Sequence, residues 1–445
     1  MSDLGAGLGL VWALPFVGLI LAIALAPLAA PRVWHAHFGK IAAGWALAFL
    51  LPFAALHGFA PAAHLAAEAL LADYLPFVVL LGALYTVAGG VRLTGTLRGT
   101  PAVNTLLLLA GTLAASVTGT TGAALLLVRP LIRANRRRRH KRHVFVFFIF
   151  LVANIGGALS PLGDPPLFLG FIAGVPFAWP TQNLLAPMIF AGSVLLLLFF
   201  ALDSYHHRRA PAGDPAPLAE FERLGVTGKI NLVLLLAIVA VVMASGTWRS
   251  ETVIELAGAG LPLPRLLAVL ALLAIALLSL RFTRPQIRQA NEFDWAPMSE
   301  VAILFAAIFI TIAPVLAMLR AGTAGAAAAL VPLVNPGGIP DDRAYFWATG
   351  LLSAVLDNAP TYLLFFNLAG GDAARLTGPL ASTLVAISAG AVFFGALTYI
   401  GNAPNFMVRS IAERSGTKMP SFFGYVAWAA LCLLPLFAAT SWIFL

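Results

Sequence analysis

The chain has 445 residues, 60% hydrophobic and only 10% charged, with a mean hydropathy of +0.93 and a net charge of +9. So much apolar surface exceeds what a soluble core can hide, which makes this an all-α polytopic membrane protein rather than a soluble enzyme or nucleic-acid-binding module. The single cysteine, Cys432, excludes a disulfide framework and a cysteine-based metal centre.

In chain order, the first apolar run, residues 9–30, follows a start without basic residues. It is longer than the core of a cleavable signal and reads as a retained first span. Windows long enough to cross a bilayer fall near 8–30, 41–58, 73–91, 183–203, 230–246, 262–280, 297–318 and 421–444. Four other stretches are irregular. Residues 103–132 and 344–369 are too long for one span and cut by polar residues, while 143–178 and 380–412 are interrupted by Gly, Pro and Asn. If the first pair are re-entrant hairpins and the second pair broken helices that still cross, the fold has about 10 spans plus 2 hairpins. With the N-terminus outside, 22 of the 27 Lys and Arg residues then lie inside. Only Arg249, Arg265, Arg320, Arg343 and Arg375 are left outside, and treating either hairpin as a full crossing spoils the asymmetry.

The run Arg136–His143 reads as a topological anchor in this arrangement rather than a nucleic-acid site. The eight histidines all lie at or beyond span ends, so none is expected as a mid-membrane ligand. Residues 204–229, with Pro211, Pro215 and Pro217, read as a cytoplasmic linker between a first unit, 1–203, and a second, 230–445.

Self-comparison supports the division. GALSPLGDPPLFL at 157–169 aligns without a gap to GALTYIGNAPNFM at 395–407, an offset of 238 residues. The same offset places the hairpin tip TGTTG, 118–122, on LDNAP, 356–360. Each unit holds an odd number of crossings, so the two are expected as inverted repeats whose broken segments meet near mid-membrane. Unwound backbone in hydrocarbon costs several kcal/mol per unpaired group, so such breaks are tolerated only where protein or water supplies partners. Gly163 permits close approach there, while Thr120, Thr121, Asn154, Ser160, Thr361, Thr398, Asn402 and Asn405 supply side-chain oxygens for binding an ion or substrate.

Two acids, Asp164 and Asp357, sit in these breaks, one per repeat, with no Lys or Arg comparably deep in sequence. The other acidic residues fall in loops or near span ends, the closest being Asp73 and Glu300. A buried carboxylate must be protonated, bind a cation or face water, and alternation among those states is the chemistry of a cation/proton exchanger. The plain alternative is that each acid caps a half-helix.

Asn154–Phe168 (NIGGALSPLGDPPLF) and Ser353–Pro360 (SAVLDNAP) resemble the broken-helix and hairpin-tip motifs of the ion-transporter superfamily. That superfamily includes NhaD-type sodium/proton antiporters, arsenite permeases, the P-protein group and citrate or dicarboxylate transporters. The resemblance implies that Asp164, Asp357 and Asn358 take part in ion and proton binding, with Na⁺ or a proton held transiently at the two acids and no other cofactor. It also implies elevator-type movement of the hairpin-bearing domain against a dimerising scaffold, hence a homodimer in a bacterial inner membrane whose partners are lipid and small inorganic cations. Pro165-Pro166-Leu167 stands where the antiporters tend to have Val-Thr-Thr, closer to the P-protein pattern. The expected function is a Na⁺/H⁺ antiporter, with a cation-coupled citrate or carboxylate transporter as the alternative and an oxyanion permease third.

Overall fold

The computed structural model describes residues 7–209, 223–248 and 250–445. It is an all-α polytopic membrane protein in which ten described helices are long and apolar enough to cross a bilayer. The main helices are α1 (Leu14–Ala29), α2 (Pro31–His57), α3 (Phe59–Ala67), α4 (Leu75–Ala88), α5 (Pro101–Thr118), α6 (Thr120–Ala134), α7 (Arg142–Leu151), α8 (Pro165–Ile172) and α9 (Trp179–Arg208). The second part of the chain adds α10 (Ile230–Thr247), α11 (Leu263–Phe282), α12 (Ala296–Arg320), α13 (Asp342–Leu356), α14 (Asn358–Leu368), α15 (Ala381–Phe394), α16 (Ala403–Arg414) and α17 (Phe422–Phe444). Sheet is confined to loops: β1 (Arg92–Thr94) pairs antiparallel with β2 (Gly225–Thr227), and β3 (Val253–Leu256) with β4 (Ala259–Pro262).

Local chemistry sets many of the ends. The Thr100 hydroxyl accepts from the Val103 N–H and Pro101 takes the first turn of α5, while the Asp341 and Ser421 side chains cap α13 and α17. Proline at Pro165 and Pro404 starts α8 and α16 where a missing N–H costs nothing.

Several boundaries differ from the hydropathy windows. The helix expected at 41–58 begins at Pro31, immediately after α1, so Arg32 and Lys40 lie within α2. The third span continues backwards through a π-helical turn, Glu68–Tyr74, into α3. Of the linker 204–229, residues 204–208 extend α9 and 225–227 form β2, while 210–222 lie outside the described residues.

The helices pack in two groups. One contains α1–α4 and α10–α12, with α4 against α11, α10 against α11, and α12 against α2. The other contains α5–α9 and α13–α17. Its heart is deeply buried: 89% of residues 142–159 are buried, against 28% in α10, whose Val233 and Leu236 face outward as lipid-exposed residues do. Where the groups meet, α4 lies against α6 and α12 against α14.

Candidate functional site

Helices α5 and α6 are joined by one residue, Gly119, and fold back on each other: the Gly99 N–H donates to the Ala134 carbonyl at 3.0 Å. Helices α13 and α14 do the same around Asp357, bringing the Tyr345 and Phe365 rings to 6.2 Å. Each turn takes the same backbone, φ 77° and ψ 152° at Gly119, φ 79° and ψ 145° at Asp357. Glycine adopts this positive-φ, extended conformation freely and an aspartate does so at a cost of ~1–3 kcal/mol.

The interruptions that follow α7 and α15 also match. After α7 a short 3₁₀ turn, Ile155–Leu159, leads to extended Ser160 and then to Asp164, the residue preceding α8. After α15 a 3₁₀ turn, Gly395–Leu397, leads to extended Thr398 and then to Asn402, preceding α16. The Ser160 hydroxyl donates to the Ser116 carbonyl, and the Thr398 hydroxyl donates to the Ala354 carbonyl at 2.6 Å, the same bond 238 residues later. At Gly163 a Cβ would come within 2.2 Å of the Gly157 carbonyl oxygen, so only glycine permits this backbone contact.

Asp164 is the hub. Its side chain makes no capping bond to its own helix. One carboxylate oxygen accepts from the Thr120 hydroxyl at 3.0 Å and the Asn402 amide at 3.1 Å, and the other accepts from the Asn358 amide. Thr120 and Asn358 are the first residues of α6 and α14, and Asn402 precedes α16. Four helix N-termini therefore converge on one carboxylate that is 1% exposed.

Further amides hold these donors in place. The Asn154 amide donates to the Asn405 side-chain oxygen and to the Ile149 carbonyl, both at 2.8 Å, while Asn405 donates to the Gly395 and Thr398 carbonyls. The Asn402 amide reaches the Ala153 carbonyl at 3.0 Å as well. The tip of the first pair is tied in by the Thr120 N–H, which donates to the Gly163 carbonyl at 2.8 Å.

Asp357 adjoins this hub through its neighbour Asn358 and is only half-buried. One of its carboxylate oxygens accepts from the Ala359 N–H at 3.2 Å, and its carbonyl accepts from the Thr361 hydroxyl at 2.8 Å. It does cap its helix, as the plain alternative expects, and Asp164 does not. Thr121 is half-buried beside Thr120 and makes none of these bonds. The Asn358 side-chain oxygen is buried with no hydrogen-bond partner. A lone carbonyl oxygen beside two carboxylates is a natural ligand for a hard cation or an acceptor for a protonated group. Among the described residues neither Asp164 nor Asp357 is in an ion pair.

One buried ionic cluster escaped the sequence reading. Asp203, fully buried near the end of α9, accepts from His143 at 2.7 Å and Asn104 at 2.9 Å and pairs with Arg138 at 2.6 Å. It fastens the base of α5 and the basic run to α9, so Arg138 is an internal partner as well as a topological charge. The closeness of Asp203 to a span end concealed it; the adjacency of an acid and a basic run flanking two spans was the available signal.

No curated protein matches the chain. A protein-family model described as "Putative citrate transport" matches residues 5–445. That match covers nearly the whole chain, interruptions included, and the chain belongs to this family of membrane transporters.

Proposed function

We propose that the protein is a cation-coupled transporter of a small carboxylate of the citrate class, with the cargo bound where the four helix starts meet. The observation that carries this reading is the convergence of α6, α8, α14 and α16 on Asp164. Each N-terminus is equivalent to roughly +0.5 charge, so the four offset about two negative charges, those of Asp164 and Asp357. A carboxylate entering alone makes the site anionic; one entering with a cation leaves it balanced. Asp357, the free oxygen of Asn358 and the cargo carboxylate are the ligands for that cation.

In this reading the folded-back pairs are re-entrant hairpins and the two repeats run oppositely through the membrane. The recurrence of one backbone and one hydroxyl bond at an offset of 238 residues supports that arrangement. The distribution of Lys and Arg favours the base of α5–α6 inside a plasma membrane, and transport proceeds by movement of the group holding Asp164 against the other. A dimer through that other group is part of the proposal.

A second reading, Na⁺/H⁺ antiport, is favoured by one feature: two deep carboxylates to which, among the described residues, no cationic side chain is bonded. Proteoliposomes separate the two. Uptake of labelled citrate driven by an imposed cation or proton gradient, lost in Asp164→Asn, is the expected result. Sodium-driven proton movement without any added carboxylate would replace it with antiport.

A further inference from the structure

Among the described residues, Arg129, Arg265 and Arg320 each reach across the seam between the two helix groups. Arg129 of α6 donates to the Glu292 carboxylate at 2.9 Å. Arg320, the last residue of α12, donates to the Asn367 side-chain oxygen on α14 at 2.5 Å. Arg265 of α11 donates to the Ile172 carbonyl at the end of α8 at 3.0 Å and to the Ala72 carbonyl of its own group at 3.3 Å.

The first two stand in a defined relation. Positions 129 and 367 are separated by the repeat offset of 238, so corresponding places on the second arms of the two folded-back pairs are the ones gripped. Their partners flank one helix: Glu292 lies just before α12 and Arg320 ends it. With 25 residues α12 is about 37 Å long, enough to span a bilayer, so the two grips lie on opposite faces of the membrane.

Glu292 is presented by a loop fixed to its own group. The Asn291 amide donates to the Gly89 and Val91 carbonyls at 2.9 and 2.8 Å, Arg288 donates to the Thr86 carbonyl at 2.9 Å, and the Tyr85 hydroxyl donates to the Asp294 carbonyl at 2.5 Å. Glu292 itself has a left-handed backbone, φ 45°. On the other side of the contact the Arg129 Nη1 is buried without a partner, so the grip is a single bond. On the far face the Asn367 amide donates to the Leu363 carbonyl, which turns its oxygen toward Arg320.

We infer that Arg129–Glu292 and Arg320–Asn367 form a two-point clamp that holds the cargo-bearing group in the conformation seen here and must release at both faces for transport to proceed. The inference rests on the transporter reading in needing two groups that move, and not on the identity of the cargo. Both bonds are made at once, so each stabilises the same state, and weakening either favours departure from it.

The test is hydrogen exchange on the full-length protein in proteoliposomes without cargo, with citrate uptake measured alongside. Glu292 is 71% exposed, so Glu292→Gln removes the charge with little risk to folding. The expected result is faster exchange in residues 126–134 by about 1.4-fold to fivefold, the range for a partly exposed ion pair. Asn367→Leu is expected to accelerate exchange both at 363–371 and across the membrane at 126–134. Arg129→Glu with Glu292→Arg is expected to return exchange to the parent rate, a restoration that a purely local disturbance does not produce. Unchanged exchange in Glu292→Gln, failure of the swap to restore it, or an Asn367→Leu effect confined to its own face overturns the clamp. Because exchange is read without cargo, absence of citrate uptake in the parent defeats the carboxylate reading and leaves this test intact.

Discussion

At the first interruption the acid precedes the half-helix, as Asp164, and the tip of the neighbouring pair is Gly119. At the second, the residue before the half-helix is the neutral Asn402 and the acid sits at the tip, as Asp357. Backbone angles at both corresponding pairs agree closely: Asp164 has φ −140° and ψ 143°, Asn402 φ −155° and ψ 136°. One frame thus carries two different placements of a negative charge. Asp164 is buried and accepts from three neutral donors, a setting that holds a carboxylate in one place. Asp357 is half-buried, bonded to one N–H of its own helix, and free to meet something that arrives. On the proposed carboxylate-transport reading, Asp164 anchors the site and Asp357 captures what arrives.

The largest effect expected from breaking this comparison is at Asp164. Asp164→Asn removes the charge on which four helix starts converge and sets an amide against three donors, so transport should fall at least about 100-fold. Asn402→Asp alone should be comparably damaging, because it places two carboxylates about 3 Å apart. The double variant exchanges acid and amide between bonded partners, and a measurable part of the activity should return. Uptake in proteoliposomes, with thermal unfolding as a control for folding, reads all three. If the exchange restores nothing while the protein folds, the two positions are not interchangeable and the anchoring role lies elsewhere.

The tips come next. Asp357→Gly relieves the positive-φ backbone and removes the capturing acid, so the protein should be at least as stable as the parent and inactive. Asp357→Ala keeps the strain and loses the cap, and should be less stable than the glycine variant by ~1–3 kcal/mol. Conversely Gly119→Ala introduces that strain at the other tip, where a Cβ meets the Leu162 carbonyl oxygen at 3.3 Å. It should lose ~1–3 kcal/mol as well. Unfolding of purified protein in detergent measures the differences, and an Asp357→Gly protein that transports normally would remove Asp357 from the site.

How much of this was legible in the sequence depends on the range of the interaction. Interruptions at Gly163 and Asn402, the tips at Gly119 and Asp357, and the offset of 238 residues were readable because each needs particular residue types at fixed local spacing. The repeat offset places Asn402 opposite Asp164 and the tip motif supplies Asn358, but the bonds themselves were not readable, since packing across 194 and 238 residues decides that both amides donate to the Asp164 carboxylate. Hydropathy windows missed the start of α2 because long basic side chains such as Arg32 and Lys40 extend from a helix to the interface without ending it. By helix length and apolarity alone α5 counts among the ten helices able to span and α15 does not, although α5 turns back at Gly119 and α15 leads into the second interruption, which is why the polar cuts in 103–132 and 380–412 are more informative than hydropathy.

The smallest predicted effects sharpen the comparison of the two interruptions most finely. Ser160 and Thr398 make the same outgoing bond, to the Ser116 and Ala354 carbonyls, so Ser160→Ala and Thr398→Ala delete equivalent contacts. Their incoming bonds differ. The Ser160 hydroxyl accepts from the Leu162 N–H at 3.1 Å, whereas the Thr398 hydroxyl accepts from both the Ile400 and Gly401 N–H groups, at 3.2 and 2.9 Å. Each buried N–H left unpaired adds a desolvation cost, so Ser160→Ala should destabilise by ~1 kcal/mol and Thr398→Ala by ~2 kcal/mol. Equal losses in thermal or denaturant unfolding would mean that the two turns are energetically the same, and that the second N–H donor at Thr398 contributes nothing. A larger loss at Thr398 would locate the firmer turn in the second repeat, behind Asn402 and close to the residue that meets the cargo, where a rigid support is required if Asp357 is the acid that captures it.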